Sequence, residues 1–156
     1  MAHRVPILVS ITLLALAAFT ACGKRPATLE DLNSRMVTLP DGFKVRAEVM
    51  VHQTDMRRGM MFRDSLEEGR GMLFVHGSPG EYPYWMYQVR IPLDIIWLDK
   101  NGWIKEIVAD APPCETNAQN CPNHGGNEIA LYVLELPAGS VARHNLRVGA
   151  RIRLQG

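Results

Sequence analysis

The 156-residue sequence predicts a mainly β protein: an antiparallel jelly-roll-like β-sandwich or barrel with one or two short helices. Three observations carry that expectation. Short apolar runs recur along the chain, several alternating with period two, as half-buried strands require. Tight-turn residues punctuate them at short intervals. No long helical pattern separates them, so parallel crossover units are not expected.

Phe43, Val45, Ala47, Val49 and Val51 alternate with mostly charged residues, which makes 43–51 a strand with one face buried and one face wet. Asp41-Gly42 is a turn, and Met36–Leu39 forms the other arm of a hairpin. Thr54 is a candidate N-cap for a short helix with Asp55 in its first turn; Gly59 weakens this helix and Glu67-Glu68-Gly69 ends it. Gly71–Val75 reads as a buried strand before a Gly-Ser-Pro-Gly turn at 77–80. Trp85–Val89 reads as another, stopped by Pro92. The clearest hairpin pairs Leu93–Leu98 with Trp103–Val108, and Asn101-Gly102 supplies the positive φ angles of its turn. Ile129–Leu136 is a further strand, Ser140–Leu146 one helical turn, and Ala150–Leu154 a final strand. About seven strands and two short helices result, the first helix covering an open edge or end.

The N-terminus predicts a location. Arg4 precedes an apolar run, Val5–Phe19, broken only by Ser10 and Thr12. A spanning helix needs roughly 20 residues, so this run suits a secretory leader better than an anchor. Phe19-Thr20-Ala21-Cys22 resembles the lipobox of bacterial lipoproteins, with Phe19 where Leu is usual. That resemblance implies cleavage before Cys22, a lipid on its thiol, and residence in the cell envelope on the periplasmic face, at the outer membrane. The expected organisation is a leader over 1–21, a tether over 22–35 and a single β-rich domain over 36–156. Without the leader about 135 residues remain, enough for one core. Of the 17 basic residues only Arg4 lies in the leader, and none of the 16 acidic ones does, so the remainder is formally neutral. Nucleic acid, which calls for a clear basic excess, is not an expected partner. The expected partners are the membrane, through Cys22, and an unidentified small ligand or envelope protein.

Cys114 and Cys121, followed by His124, allow a disulfide, a metal site or a redox pair. Acylation of Cys22 would leave an even pair in an oxidising compartment, which favours the disulfide. Zn²⁺ or Cu⁺ would draw on Cys114, Cys121, His124 and Glu115, but the six-residue gap is looser than usual zinc spacings. A catalytic dithiol more often has two intervening residues. Met60, Met61, Met72 and Met86 read as core fillers rather than copper ligands. No cofactor is expected.

Thr54–Val75, Tyr84–Ile104, Pro112–Pro122 and Tyr132–Val141 together resemble domain-of-unknown-function family 192, small β-rich domains of bacteria and archaea. The resemblance implies a jelly-roll β-sandwich and no established activity. This chain has Tyr87-Gln88-Val89 where the family commonly has Lys-Asn-Thr, and Asn123-His124 where Thr-Tyr is common.

The candidate binding residues are Arg58, Gly59, Met60, Arg63, Trp85, Met86, Asp94 and Glu135. Arginines 57, 58 and 63 can grip a carboxylate or phosphate, or pair with Asp55, Asp64, Glu67 and Glu68. Trp85, with Tyr82, Tyr84 and Tyr87, offers aromatic surface for a ligand, or core. Asp94 lies in an apolar run and needs a partner, with Arg90 and Arg58 as candidates; Glu135 raises the same question. The expected function is a small-ligand or partner-binding, accessory module of the envelope. The alternatives are an envelope hydrolase using Asp94 and Glu135 as acid and base, or a purely structural domain. No phosphate loop, zinc-protease motif or dinucleotide fingerprint occurs in the sequence.

Overall fold

A computed structural model describes residues 33–155. The leader, Cys22 and all but the last residues of the expected tether lie outside the described residues. Strand β1 (Ser34–Thr38) begins two residues inside that tether and pairs antiparallel with β2 (Lys44–Met50), Val37 opposite Val45. Helix α1 (Gln53–Arg58) follows, then β3 (Arg70–Gly80), which lies parallel to β2 with Glu48 opposite Met72. The antiparallel expectation is therefore corrected at this pair. Parallel neighbours need a crossover, and α1 with the loop to residue 69 provides it.

The helix also differs in its ends. His52, not Thr54, is the N-cap, with extended φ/ψ and its carbonyl accepting the Met56 N–H at 2.9 Å. Gly59 ends the helix after Arg58; its φ of 43° turns the chain while its N–H reaches the Asp55 carbonyl at 2.8 Å.

The remaining elements are β4 (Tyr84–Trp85), β5 (Leu93–Leu98), β6 (Ile104–Ala111), a 3₁₀ turn (Ala118–Asn120), β7 (Asn123–His124), β8 (Ala130–Pro137), α2 (Ser140–Arg143) and β9 (Arg153–Leu154). Seven strands form one sheet in the order β6-β5-β8-β3-β2-β1-β9, and β4 pairs with β7 in a small separate ribbon. The strand expected over 85–89 is cut to two residues: Gln88 has φ 58° and leaves extended geometry. In the β5–β6 turn only Gly102 has positive φ, not Asn101. Asp99 closes that turn instead, its Oδ1 accepting the Asn101 and Trp103 N–H groups at 2.8 and 2.9 Å.

The sheet curls into a half-barrel. Its far ends meet where the Ile104 N–H reaches the Ala150 carbonyl and the Gly149 N–H reaches the Ile104 carbonyl, both at 2.9 Å. Inside the curl, Val37 and Val45 from one end pack with Ile96, Leu134 and Ile104 from the other. Full burial of side chains this size stabilises by about 1.5–3 kcal/mol each. The opposite face carries a second apolar layer around Met60, Met72, Phe74, Met86 and Trp97. The crossover and the segments around residues 84–92 and 112–126 cover it.

Cys114 and Cys121 form a disulfide. The loop they close packs tightly on the second layer: a Cβ at Gly125, whose φ is +54°, would stand 2.5 Å from the Trp97 ring. The Trp97 indole N–H is satisfied by the Tyr82 carbonyl at 2.8 Å.

A candidate ligand site around a buried carboxyl

Glu48, Met72, Glu135 and Ile95 stand side by side on β2, β3, β8 and β5. Strand geometry puts directly paired residues on one face, here the face of the second apolar layer. Two carboxyls thus share this layer, and one arginine serves them unequally. Arg63 donates to both oxygens of Glu48, at 2.6 and 2.7 Å. Glu135 is 5% exposed, and its Oε2 has no hydrogen-bond partner among the described residues. Burial pushes the Glu135 carboxyl up to about 8, against the opposing pull of Arg63. At neutral pH Glu135 therefore holds a proton, while Glu48 has the bidentate partner.

Alternation along β2 read Glu48 as solvent-facing, yet it is 7% exposed. The crossover segment carrying Arg63 folds back over that face, and no local pattern announces this.

Glu135 lines a small cavity of about 30 Å³ together with Arg58, Gly59, Met60, Tyr84 and Trp85. A single water needs roughly 10–15 Å³ of such space, so the cavity admits one small polar group. Two open grooves flank it. One, of about 260 Å³, runs past Gln53, Arg57, His76, Tyr82, Tyr84 and Trp85. The other, of about 370 Å³, runs past Asn33, Asp55, Arg58, Phe62 and Arg63. At its edge Phe62 is half exposed at φ 64°, its N–H held by the Gln88 carbonyl at 2.9 Å. Two left-handed non-glycine residues bonded to each other are costly and need support from their surroundings.

The expected pairing of the arginine helix is corrected in its details. Asp64 pairs with Arg90 at 2.7 Å, and Glu68 lies 3.7 Å from Arg143. Arg57 and Arg58 form no ion pair or hydrogen bond among the described residues, so two exposed cations flank the cavity. Tyr84 closes its other side, with its hydroxyl 3.2 Å from His76 Nε2. Burial, with Glu135 and Tyr82 nearby, pushes the Tyr84 phenol above its ordinary range. Burial also holds His76 below its ordinary value.

Of the residues singled out in the sequence, Arg58, Gly59, Met60, Trp85 and Glu135 line one cavity, and Arg63 lines the adjoining groove. Met86 is buried in the core beside Met60 and Met72. Asp94 lies elsewhere. It pairs with Leu136 across β5–β8, whereas Glu135 pairs with Ile95, so the two carboxylates point to opposite faces. Its expected arginine partners are replaced by backbone donors: Asp110 N–H at 2.8 Å and Val141 N–H at 2.6 Å. Asp94 thereby ties β5 to the end of β6 and to α2. Asp94→Ala will cost about 3 kcal/mol or more in urea denaturation, because two backbone donors lose a charged acceptor; Asp94→Asn will cost less. Arg57 and Tyr84 are the site residues that sequence reasoning undervalued, the first as one charge in a mixed run, the second as one aromatic among four.

A further recess, of about 440 Å³, lies beside Asp41 and His144 and holds none of these residues. His144 Nδ1 is 2.7 Å from Asp41 Oδ2, and the imidazole stacks on Phe43. The Phe43 N–H and His144 hold the Asp41 carboxyl below its usual range. Among the described residues no cluster of three His, Cys, Asp or Glu side chains suits a metal ion.

The model of domain-of-unknown-function family 192 (DUF192, uncharacterized ACR) matches residues 36–154, almost the whole described fold. The chain belongs to this family. A crystal structure of a protein of unknown function from Novosphingobium aromaticivorans superposes with a TM-score of 0.66 at 28% identity, covering 77% of this chain and 83% of that one. A crystal structure from Sinorhizobium meliloti, named as a candidate transcription regulator, gives a TM-score of 0.67 at 27% identity, covering 78% and 92%. No curated protein matches the chain.

Proposed function

We propose that this family-192 chain is a lipid-anchored binding module of the cell envelope that takes a small ligand at the Glu135 cavity. One observation carries the site: a nearly fully buried carboxyl, with an oxygen unpartnered among the described residues, lines a cavity flanked by two arginines that have no ion pair among those residues. Leaving such a group unsatisfied costs about 1–3 kcal/mol, and a ligand's polar group would recover that cost. The aromatic rim of Tyr84, Trp85 and Tyr87 supplies contact area on rigid side chains. The lipobox-like Phe19–Cys22 and the apolar run before it motivate the anchor. Asn33 lines the groove beside Arg58, so the tether would enter next to the site. In the same reading the curled sheet is a jelly-roll relative whose second layer has shrunk to the β4–β7 ribbon.

No observation favours a hydrolase built on Asp94 and Glu135, which face opposite ways and cannot share one substrate.

The test of the site is a broad thermal-shift screen on the full chain and on an Arg57→Ala/Arg58→Ala/Trp85→Ala variant. A ligand at 100 times its Kd stabilises by about 2.7 kcal/mol, a readily measured rise in Tm. The expected result is at least one compound that raises Tm in the parent and not in the variant. Equal responses throughout would remove this site. Intact mass of the protein from native membranes tests the anchor: an unacylated chain retaining Met1 would remove it.

A further inference from the structure

The groove of about 260 Å³ and the cavity of about 30 Å³ share Met56, Arg57, Tyr84 and Trp85 in their walls. The two spaces adjoin at these side chains, and their chemistry differs. In the outer chamber the two tyrosine hydroxyls of the aromatic wall are already engaged. The Tyr82 hydroxyl donates to the Ser78 carbonyl at 2.6 Å, and the Tyr84 hydroxyl meets His76 Nε2 at 3.2 Å. His76 lies flat on Tyr82, with centroids 3.5 Å apart and planes 3° from parallel. What remains for a ligand is mostly ring surface, including Trp85 at 40% exposure, with Gln53 and the Trp85 indole N–H as the further polar groups. A polyhydroxylated sugar needs many hydrogen bonds, and this wall has few to offer; a flat ring needs contact area.

Charge narrows the class further. The outer chamber is lined by no acidic residue, and its one formal charge is Arg57, free of any ion pair among the described residues. A guanidinium matches a carboxylate bidentately. The inner chamber is lined by Glu135, whose buried Oε2 has no partner among the described residues, and has room for one small polar group. A hydroxyl suits it, since a hydroxyl both donates and accepts. The combined space falls near the lower end of ordinary ligand pockets, roughly 300–1,000 Å³, which limits the ligand to about one ring.

Resting on the ligand-binding reading above, the geometry points to a single-ring aromatic carboxylate as ligand: its ring against Trp85 and Tyr82, its carboxylate on Arg57, and a ring hydroxyl at Glu135. No bond is made or broken in this assignment.

The test is calorimetric titration of the full chain with five probes: 4-hydroxybenzoate, benzoate, 4-hydroxybenzyl alcohol, glucuronate and inorganic phosphate. We expect 4-hydroxybenzoate to bind most tightly. The neutral alcohol should bind at least tenfold more weakly, and benzoate several-fold more weakly. Arg57→Ala, a surface change that leaves the fold intact, should weaken 4-hydroxybenzoate about tenfold and the alcohol little. Glu135→Gln, which keeps a donor in the cavity, should preserve binding. Equal binding of glucuronate would overturn the aromatic ring, and equal binding of phosphate would reduce the site to an anion trap. An unchanged affinity in Arg57→Ala would overturn the carboxylate contact. Silence from all five with another compound active in the thermal screen would overturn this ligand class but leave the binding module standing. Silence in both would overturn both.

Discussion

Glu135→Gln will flatten the dependence of stability on pH across the neutral range. The folded carboxyl titrates at about 8 against an ordinary 4.5. Between those values the folded chain holds a proton that the unfolded chain has released. The contribution is therefore complete below about pH 4.5, is lost as pH rises towards about 8, and levels off above that. The slope is up to about 1.4 kcal/mol per pH unit. His76 acts in the opposite direction, because its buried neutral form must charge on acidification, but only below its ordinary 6.5. Tyr84 titrates well above this window and Asp41 well below it. Arg63 and Glu48, which face Glu135 from the crossover and β2, are engaged with each other in a bidentate pair. The window from pH 6.5 to 8 thus isolates Glu135. Urea denaturation at closely spaced pH values should show the parent losing stability through this window and Glu135→Gln holding level. Parallel slopes in the two proteins would show that Glu135 is already ionised in the fold.

Cys114→Ser/Cys121→Ser will loosen the aromatic wall of the site well before it loosens the sheet. The loop between the cysteines holds the wall segment by both arms. Cys114 donates to the Met86 carbonyl at 3.1 Å and accepts from the Gln88 N–H at 3.4 Å. Just beyond Cys121, Asn123 and His124 pair with Trp85 and Tyr84. The disulfide ties these two arms together around residues 84–88. A loop this short contributes roughly 2–3 kcal/mol by chain entropy. Tyr84 and Trp85 have no place in the seven-stranded sheet, so the loss falls first on them. Hydrogen exchange should show faster exchange at Trp85, Tyr87 and Gln88, with β5 and β8 still protected. Unchanged protection at those three amides would mean that packing on Trp97, not the disulfide, positions the wall.

Much of the fold was legible because strand signals are local. The β1–β2 and β5–β6 hairpins followed from alternation and a nearby turn, and β8 from its apolar run. The insertion of β8 between β5 and β3 was not legible. Nor was the parallel β2–β3 pair, since pairing depends on which distant edge is free. The site was legible in part for the same reason. The Arg58-Gly59-Met60 stretch, Trp85 and Glu135 stood out by residue type, and they do line one cavity. Asp94 stood out equally, but its acceptors were matched to backbone N–H groups of Asp110 and Val141, which no side-chain pattern reveals. The 85–89 stretch read as a strand because its residues favour one, yet the disulfide loop bends it at Gln88 to reach Cys114.

The order of amino acids alone set the β character, the Asp41-Gly42 and Asn101-Gly102 turns, the helix after β2 and membership of family 192, whereas the turn expected at 77–80 is instead the continuation of β3, paired at Gly80 with Ala130. Each of these rests on neighbours a few positions apart, or on a pattern spread along the chain. Which carboxyl is buried without a partner among the described residues, which arginines form no ion pair there and which faces the acids share were settled by folding in three dimensions. Burial and pairing are properties of surfaces assembled from remote strands. Period two tells that Glu48 and Glu135 each point away from their immediate neighbours. It does not tell that the crossover will bring Arg63 to one and leave the other to hold a proton.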